Sequence, residues 1–594
     1  MAKKSIRIGC ASAFYGDSQL AARQLVDKGD IDFLVFDYLA EATMAILARA
    51  KAKDSQLGYA VDFVTVAMKD VLADCARKGI KVIANAGGVN VPGCVRALEG
   101  LCDTLGLELK VAGVYGDDLM DRRAELATRG LTDTDSGVPL PQDPASINAY
   151  LGAEPIADAL RAGADIVVTG RVVDSALVLG PLIQRFSWAM DAYDRLAQGS
   201  LAGHIIECGA QCTGGNFTDW RLVPDFADMS YPVAEVCPDG SFAIDMPPGT
   251  GGMVSPATVG EQILYEIGDP ANYLLPDVAC DFTRVTVRQS GTNRVAVTGA
   301  RGRAPGPDYK ICATSTCGYR LLGSFYMAGL DAADKARANL DAWVRRTRTA
   351  IMAKGLGDYR QVSLEVVGAE DIYGPNAAAT GSRDVMAKFG LQHDSKAALA
   401  FAAAEMAYLA TSAAPGMTGF AAGRARPQPL MHVHSVMLAK AAVPVTLQVG
   451  NAVIAQRPYG RMDTSPPAAD AGMDLLPLNN TGPWQQVPLI RLAVARSGDK
   501  GDSANIGVMA REERFLPLLD DQLTTDAVAN WFAHLVEGPV TRYALPGIGA
   551  YNFLLQRALG GGATASLRLD SQGKTYAQML LSMPLRVPTN WGLE

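Results

Sequence analysis

Residues 31–37 read IDFLVFD, with the four apolar residues Phe33 to Phe36 unbroken by polarity. A strand without polar alternation has to be covered on both faces, as in a parallel sheet flanked by helices. The neighbouring sequence repeats that logic. Ile6 to Ala13 predicts a strand, then a Gly16-Asp17 turn and a helix over 18–28. A helix is predicted over 61–78, a strand over 81–84, a helix from near Pro92 and a strand over 110–115. A helix over 154–162 and a strand over 164–169 follow. This alternation predicts an α/β fold with a largely parallel sheet across residues 1–225.

The rhythm changes near residue 225. Residues 282–302 read as a hairpin, FTRVTVRQ–SGTN–RVAVTGAR, with a glycine in the turn. Strands over 310–316 and 362–367 and a long helix over 331–354 predict an α+β subdomain, 226–455, sharing the first core. Residues 456–487, rich in Pro, Asp, Gly and Asn, predict a linker. Residues 488–594 predict a small α+β domain of ferredoxin-like type, with strands over 489–495, 566–569 and 577–583.

Charge narrows the partners. A net charge of −8 and a pI near 5.4 lack the basic footprint of a nucleic-acid binder or a polybasic membrane anchor. The amino terminus shows no long apolar stretch before its first strand, so a cytoplasmic setting is expected. The Ala-rich segment 396–415 is interrupted by Glu405 and predicts a buried helix, not a membrane span. The ten cysteines are expected to be reduced and mostly buried.

Polar residues follow the predicted strands in a row: Asp17, Asp37 with Glu41, Asn85 with Asn90, Asp117 with Asp118, and Arg171 with Asp174. Ligands of open parallel sheets bind outside the carboxyl ends of the strands. Each single Asp or Asn could equally cap the next helix. Arg171 is the candidate carboxylate or phosphate clamp, and Asp174 joins the catalytic candidates. Gly87 and Gly88, between Asn85 and Asn90, could offer backbone N–H groups to an anion, or form a tight turn. Neither a dinucleotide fingerprint nor a P-loop occurs, and no cofactor is expected.

The densest segment is GHIIECGAQCTGGN, residues 203–216. On a helix, His204, Glu207 and Gln211 share one face. An imidazole, a carboxylate and an amide suit general acid–base work. His204 and Glu207 are the catalytic candidates, with Gln211, Gly214, Gly215 and Asn216 as substrate contacts. Cys208 is a conceivable nucleophile. The spacing of His204, Glu207, Cys208 and Cys212 fits no common zinc pattern, and no metal is expected. The Gly-rich loop at 245–252, DMPPGTGG, could be a lid or a plain turn, and His432 with His434 share one strand face. In RSGDKGDSANIG, residues 496–507, Arg496 and Lys500 are candidate anion contacts, in a loop predicted to be longer than a minimal hairpin.

Several long blocks resemble the acyclic terpene utilization (AtuA-like) family: IANAGGVN at 83–90, VVTGRVVDSAL at 167–177, AGHIIECGAQCTGGNF at 202–217 and PGTGGMVSPATVGEQILYEIGDPANYL at 248–274. ARSGDKGDSANIGVMAR at 495–511, LPGIGAYNFLLQRALGGG at 545–562 and SLRLDSQGKT at 566–575 extend the likeness nearly to the end. The resemblance implies an α/β domain followed by a ferredoxin-like domain, and breakdown of citronellol- and geraniol-type compounds through CoA esters. Joined to the acid–base residues, it leads to an expected hydratase, dehydratase or C–C lyase acting on a branched acyl group, with coenzyme A part of the substrate. A homo-oligomer is expected. The alternative is a non-catalytic binding or assembly partner of an acyl-CoA carboxylase in the same pathway.

Overall fold

The computed structural model describes residues 5–420, 423–461, 465, 466, 468, 472, 473, 475, 477 and 482–593. Its spine is an eleven-stranded sheet. Five parallel strands form the centre, in the spatial order Ile6–Cys10, Phe33–Phe36, Lys81–Ala84, Ile166–Thr169 and Val111–Tyr115. Every residue of Phe33–Phe36 is buried, as its apolar run requires. Helices Ala21–Lys28, Lys69–Lys78 and Val91–Leu105 bury apolar faces against one another and one side of the sheet. Helices Glu154–Arg161, Ala176–Phe186 and Tyr193–Ile206 cover the other.

Antiparallel strands complete both edges. Val233–Val236, Phe242–Asp245 and the hairpin Thr286–Gly291 with Arg294–Thr298 extend one side. Val445–Val449 and Ala452–Arg457 extend the other. The strands after residue 225 therefore serve the first sheet as well as building their own.

A second, six-stranded sheet is organised by the 21-residue strand Asp308–Ala328. Its first half pairs with Gln428–Ala439 and Ser146–Ala149, and its second with Asp384–His393. Helices Ala332–Ala353 and Lys396–Glu405 close one face, where the Trp343 and Phe389 rings meet edge-on at 4.8 Å. Among the described residues no helix is long and apolar enough to cross a membrane.

The carboxy-terminal domain is a four-stranded antiparallel sheet in the order Ala493–Lys500, Ser503–Ala510, Ala550–Leu555 and Val540–Leu545. Short helices cover it, and Trp484–Pro488 pairs with Pro584–Pro588. Two expectations fail here. Residues 566–569 form no strand, and Tyr576–Leu580 is a helix whose Tyr576 stacks on Phe532 at 5.3 Å. A short apolar run reads the same in either conformation, and packing decides. Of the predicted linker 456–487, thirteen residues lie outside the described residues, while its first residues end the strand Ala452–Arg457 and its last belong to the strand Trp484–Pro488.

Candidate functional site

The site lies past the carboxyl ends of the parallel strands. Asp37 follows Phe33–Phe36, and its carboxylate accepts from Asn85 Nδ2 at 2.6 Å. Asn85 Oδ1 in turn accepts from the Tyr38 N–H at 2.7 Å. Burial, then the nearby Asp174 carboxylate, pushes the Asp37 carboxyl well above its ordinary range. Asp117, after Val111–Tyr115, accepts from the Arg171 N–H at 2.8 Å and Asn148 Nδ2 at 3.0 Å. Burial raises Asp117 to about 7. It fixes the turn that presents Arg171.

Arg171 is buried, and its guanidinium lies 4.1 Å over the Tyr150 ring while Nη1 reaches Asp174 at 2.5 Å and the Val172 carbonyl at 2.9 Å. Tyr150 Oη donates to Glu41 at 2.5 Å, and Lys310 Nζ stands 3.8 Å from the same carboxylate. Burial would raise Glu41, but Lys310 and Arg171 outweigh it and hold the acid near 2. Lys310 comes from the second sheet, so two sheets share this wall.

His204 and Glu207 enter from the end of the helix Tyr193–Ile206, which is buried from Leu196 onward. At Gly203 an added Cβ would stand 2.7 Å from Ser175 Cα, so only glycine lets the helix approach the Asp174-Ser175 turn this closely. The helix stops at Ile206, and Glu207 turns back so that its Oε1 lies 3.1 Å from His204 Nδ1. Burial raises the Glu207 carboxyl, against the pull of His204. Among the described residues the buried His204 Nε2 has no hydrogen-bond partner, and the imidazole lies 5.8 Å from the Tyr273 ring.

The carboxy-terminal domain supplies the last wall. The Ala493–Lys500 and Ser503–Ala510 strands pair through Lys500 and Ser503, leaving only Gly501-Asp502 as the turn. The loop predicted to be longer than a minimal hairpin is therefore a two-residue turn. Along the first strand Arg496, Gly498 and Lys500 alternate onto one face. That face meets the 265–273 segment. A Cβ on Gly498 would stand 2.7 Å from Glu266 Cγ and 2.7 Å from the Tyr265 ring. Lys500 Nζ lies 5.3 Å over the Tyr273 ring. Beside it Lys574 Nζ bridges Glu266 at 2.8 Å and Asp499 at 2.9 Å and contacts the Tyr265 hydroxyl.

Glu266 has φ +55, a left-handed backbone that a glutamate rarely adopts. Asn505 holds it there: its Oδ1 accepts the Glu266 N–H at 2.9 Å while its Nδ2 donates to the Leu264 carbonyl at 2.6 Å. Asn552 continues the clasp onto the Ile267 and Gly268 carbonyls at 2.8 and 2.6 Å. Glu41 and Glu266 are half-buried and Lys500 is exposed, so the group borders a recess open to solvent between the two lobes.

Not every sequence candidate reaches this recess. Asn90 caps the next helix through the Gly93 N–H at 3.1 Å and donates to the Leu57 carbonyl at 2.8 Å. The Gly87 and Gly88 amides are spent on the Thr169 and Asn85 carbonyls. Gly215 N donates to the Ala210 carbonyl and Gly214 N to Gln211. Arg496 grips Gln211 and the Asn216 carbonyl, which makes these three a lock between domains. Burial pushes the Cys208 thiol far up, opposite to an activated nucleophile. The 249–252 loop is tied down by Ser230 and Asp228. The His432 and His434 rings meet at 4.4 Å on the second sheet, where His434 Nε2 lies 3.1 Å from the Ser315 hydroxyl. Among the described residues no three His, Cys, Asp or Glu side chains form a group that could hold a metal.

Sequence reasoning missed Tyr150, Glu266, Tyr273, Lys310 and Lys574. They come from separate strands and loops, and the one local signal was the charged Tyr265-Glu266 step at a helix end.

The decisive comparison follows from this two-domain arrangement. The profile of the acyclic terpene utilisation family protein AtuA matches residues 6–449, and that of the AtuA ferredoxin-like domain matches residues 487–586. The chain belongs to the AtuA family. No curated protein and no solved structure matches it. The ferredoxin-like domain of this AtuA family member is the one that carries Lys500, Asn505 and Asn552.

Proposed function

We propose that this AtuA family protein is an acid–base enzyme of acyclic terpenoid breakdown, adding or removing water, or cleaving a C–C bond, on a branched acyl substrate carried as a CoA ester or related carboxylate. The observation that carries the reading is the His204–Glu207 pair at 3.1 Å, with the buried His204 Nε2 left without a hydrogen-bond partner among the described residues. A carboxylate on Nδ1 orients the imidazole and leaves Nε2 to exchange a proton with substrate. Glu207, raised by burial, is suited to hold and release a proton. Arg171 and Lys500 provide positive charge for a carboxylate or a developing oxyanion. Asp174 pairs with Arg171 and keeps it in place. The ferredoxin-like domain spends Arg496, Asn505 and Asn552 on its own chain, which favours an enzyme over a docking subunit for a carboxylase.

The test is to incubate the purified full-length protein with branched 2-enoyl and 3-hydroxyacyl CoA esters of citronellyl and geranyl type and follow products by mass. Water gain, water loss or chain cleavage supports the reading. Unchanged substrates across the panel, with a folded protein, would remove it.

A further inference from the structure

The recess holds three lysines, and they are not equivalent. Lys310 is tied to Glu41 at 3.8 Å, and Lys574 to Glu266 and Asp499. Lys500 closes no ion pair among the described residues; its ammonium lies over the Tyr273 ring at 5.3 Å. Its backbone is held firmly. Asp502 Oδ1 accepts the Gly561 and Gly562 N–H groups at 2.6 and 3.1 Å, and the Asp502 carbonyl accepts those of Ala558 and Leu559. The hairpin tip is thus fastened to the 558–562 loop while the Lys500 side chain projects into the recess.

These are the surroundings that make a lysine a nucleophile. An amine with no carboxylate partner, set against an aromatic face and near a second cation, loses part of its preference for the charged form. Burial lowers Lys500, the neighbouring Lys310 adds to that, and Glu266, Glu207 and Asp174 oppose it. Tyr273 connects Lys500 to the acid–base pair, with His204 on the other contact of the same ring.

We propose that Lys500 forms an imine with a ketone carbonyl of the substrate, so that the substrate class is a 3-oxo or 2-oxo carboxylate rather than a simple thioester. This rests on the acid–base reading above and sharpens its C–C lyase branch. The Lys500 amine adds to the carbonyl carbon and forms the N–C bond. The carbonyl oxygen takes a proton from the His204–Glu207 pair and then, protonated again, leaves as water. The balance is an ammonium and a ketone giving an iminium and water. The C–C bond one carbon beyond the iminium carbon then breaks, its electron pair moving into the C–N system to give an enamine, while the carboxylate of a 3-oxo acid leaves as carbon dioxide or the hydroxyl-bearing fragment of a 2-oxo acid leaves as a carbonyl compound. The enamine carbon takes a proton from the His204–Glu207 pair, and water hydrolyses the iminium to the amine and a ketone. No oxidant or reductant enters.

The test uses acetoacetate with sodium cyanoborohydride on the full-length protein, read by intact mass and peptide mapping. Reduction turns an imine into a stable secondary amine. The expected result is a single adduct on Lys500, formed about tenfold faster than on any surface lysine, with the rate persisting below the usual lysine range. Lys500→Arg should lose the adduct and keep the thermal unfolding profile. Glu207→Gln should slow trapping while leaving Lys500 the labelled residue. Label spread over many lysines with Lys500 no faster, or the same adduct in Lys500→Arg, overturns the proposal. Trapping needs no turnover. Turnover of CoA esters with no Lys500 adduct removes the imine alone, and an adduct without CoA-ester turnover removes the earlier reading alone.

Discussion

Asn505 of the ferredoxin-like domain accepts the Glu266 N–H at 2.9 Å and so keeps a glutamate of the first lobe in a left-handed conformation. Such strain persists only where surrounding structure holds it, and it gathers at functional sites. Asn505→Ala removes both contacts and leaves the Glu266 N–H and the Leu264 carbonyl without their partner. We expect a loss of about 1–3 kcal/mol in chemical denaturation. Turnover should fall further than stability explains, because Glu266 relaxes and drags Lys574 with it.

Domain docking itself can be tested at Gly507. An added Cβ would stand 2.3 Å from Leu264 Cβ, a backbone-near atom that cannot swing away. Gly507→Ala should cost about 1–3 kcal/mol through overpacking. Limited proteolysis should then release the carboxy-terminal domain faster. An unchanged cleavage rate would mean that the interface yields.

Asp117 predicts a pH signature. Its folded-state acidity, near 7, lies above the ordinary carboxyl value of about 3.9. The unfolded chain therefore gives up this proton first, and the group's contribution to stability falls as pH rises from about 4 to about 7. Asp117→Asn keeps an acceptor for the Arg171 N–H and removes the titration. Denaturation at intervals from pH 4 to 8 should show a decline in the parent, on the order of a few kcal/mol, flattened in the variant. Parallel curves would contradict the assignment.

Asn90 separates capping from chemistry. Its side chain is occupied by Gly93, Leu57 and neighbouring carbonyls. Asn90→Ala should lower stability by about 1 kcal/mol. Turnover at saturating substrate should be unchanged, and a large fall in kcat with normal stability would return Asn90 to the site.

The first lobe was legible because its information is local. In a run such as IDFLVFD, aromatic and β-branched residues and the repeating strand–helix context favour a covered strand, and the polar residues Asp37, Asn85 and Arg171 fall at strand ends by the same alternation. His204 and Glu207 were legible because three residues make one helical turn. Gln211 was not: the helix ends at Ile206, and Arg496 of the distant domain takes its amide. Lys310, Tyr150 and Glu266 carry no pattern of their own, since a strand register and a cross-domain hydrogen bond bring them in. The Gly87-Gly88 turn misled for a related reason. A glycine pair announces a tight turn, but which carbonyls take its N–H groups is settled by the strand packed beside it.

The His204–Glu207 pair is proposed to move a proton on a substrate held between the two lobes. The most direct measurement is kcat of Glu207→Gln against the parent on the acyl ester that the parent converts, with thermal unfolding recorded on both. The account predicts a fall of about 100-fold or more in kcat, as for loss of a general acid–base group, with the unfolding midpoint essentially preserved. Equal kcat in the two proteins would contradict it.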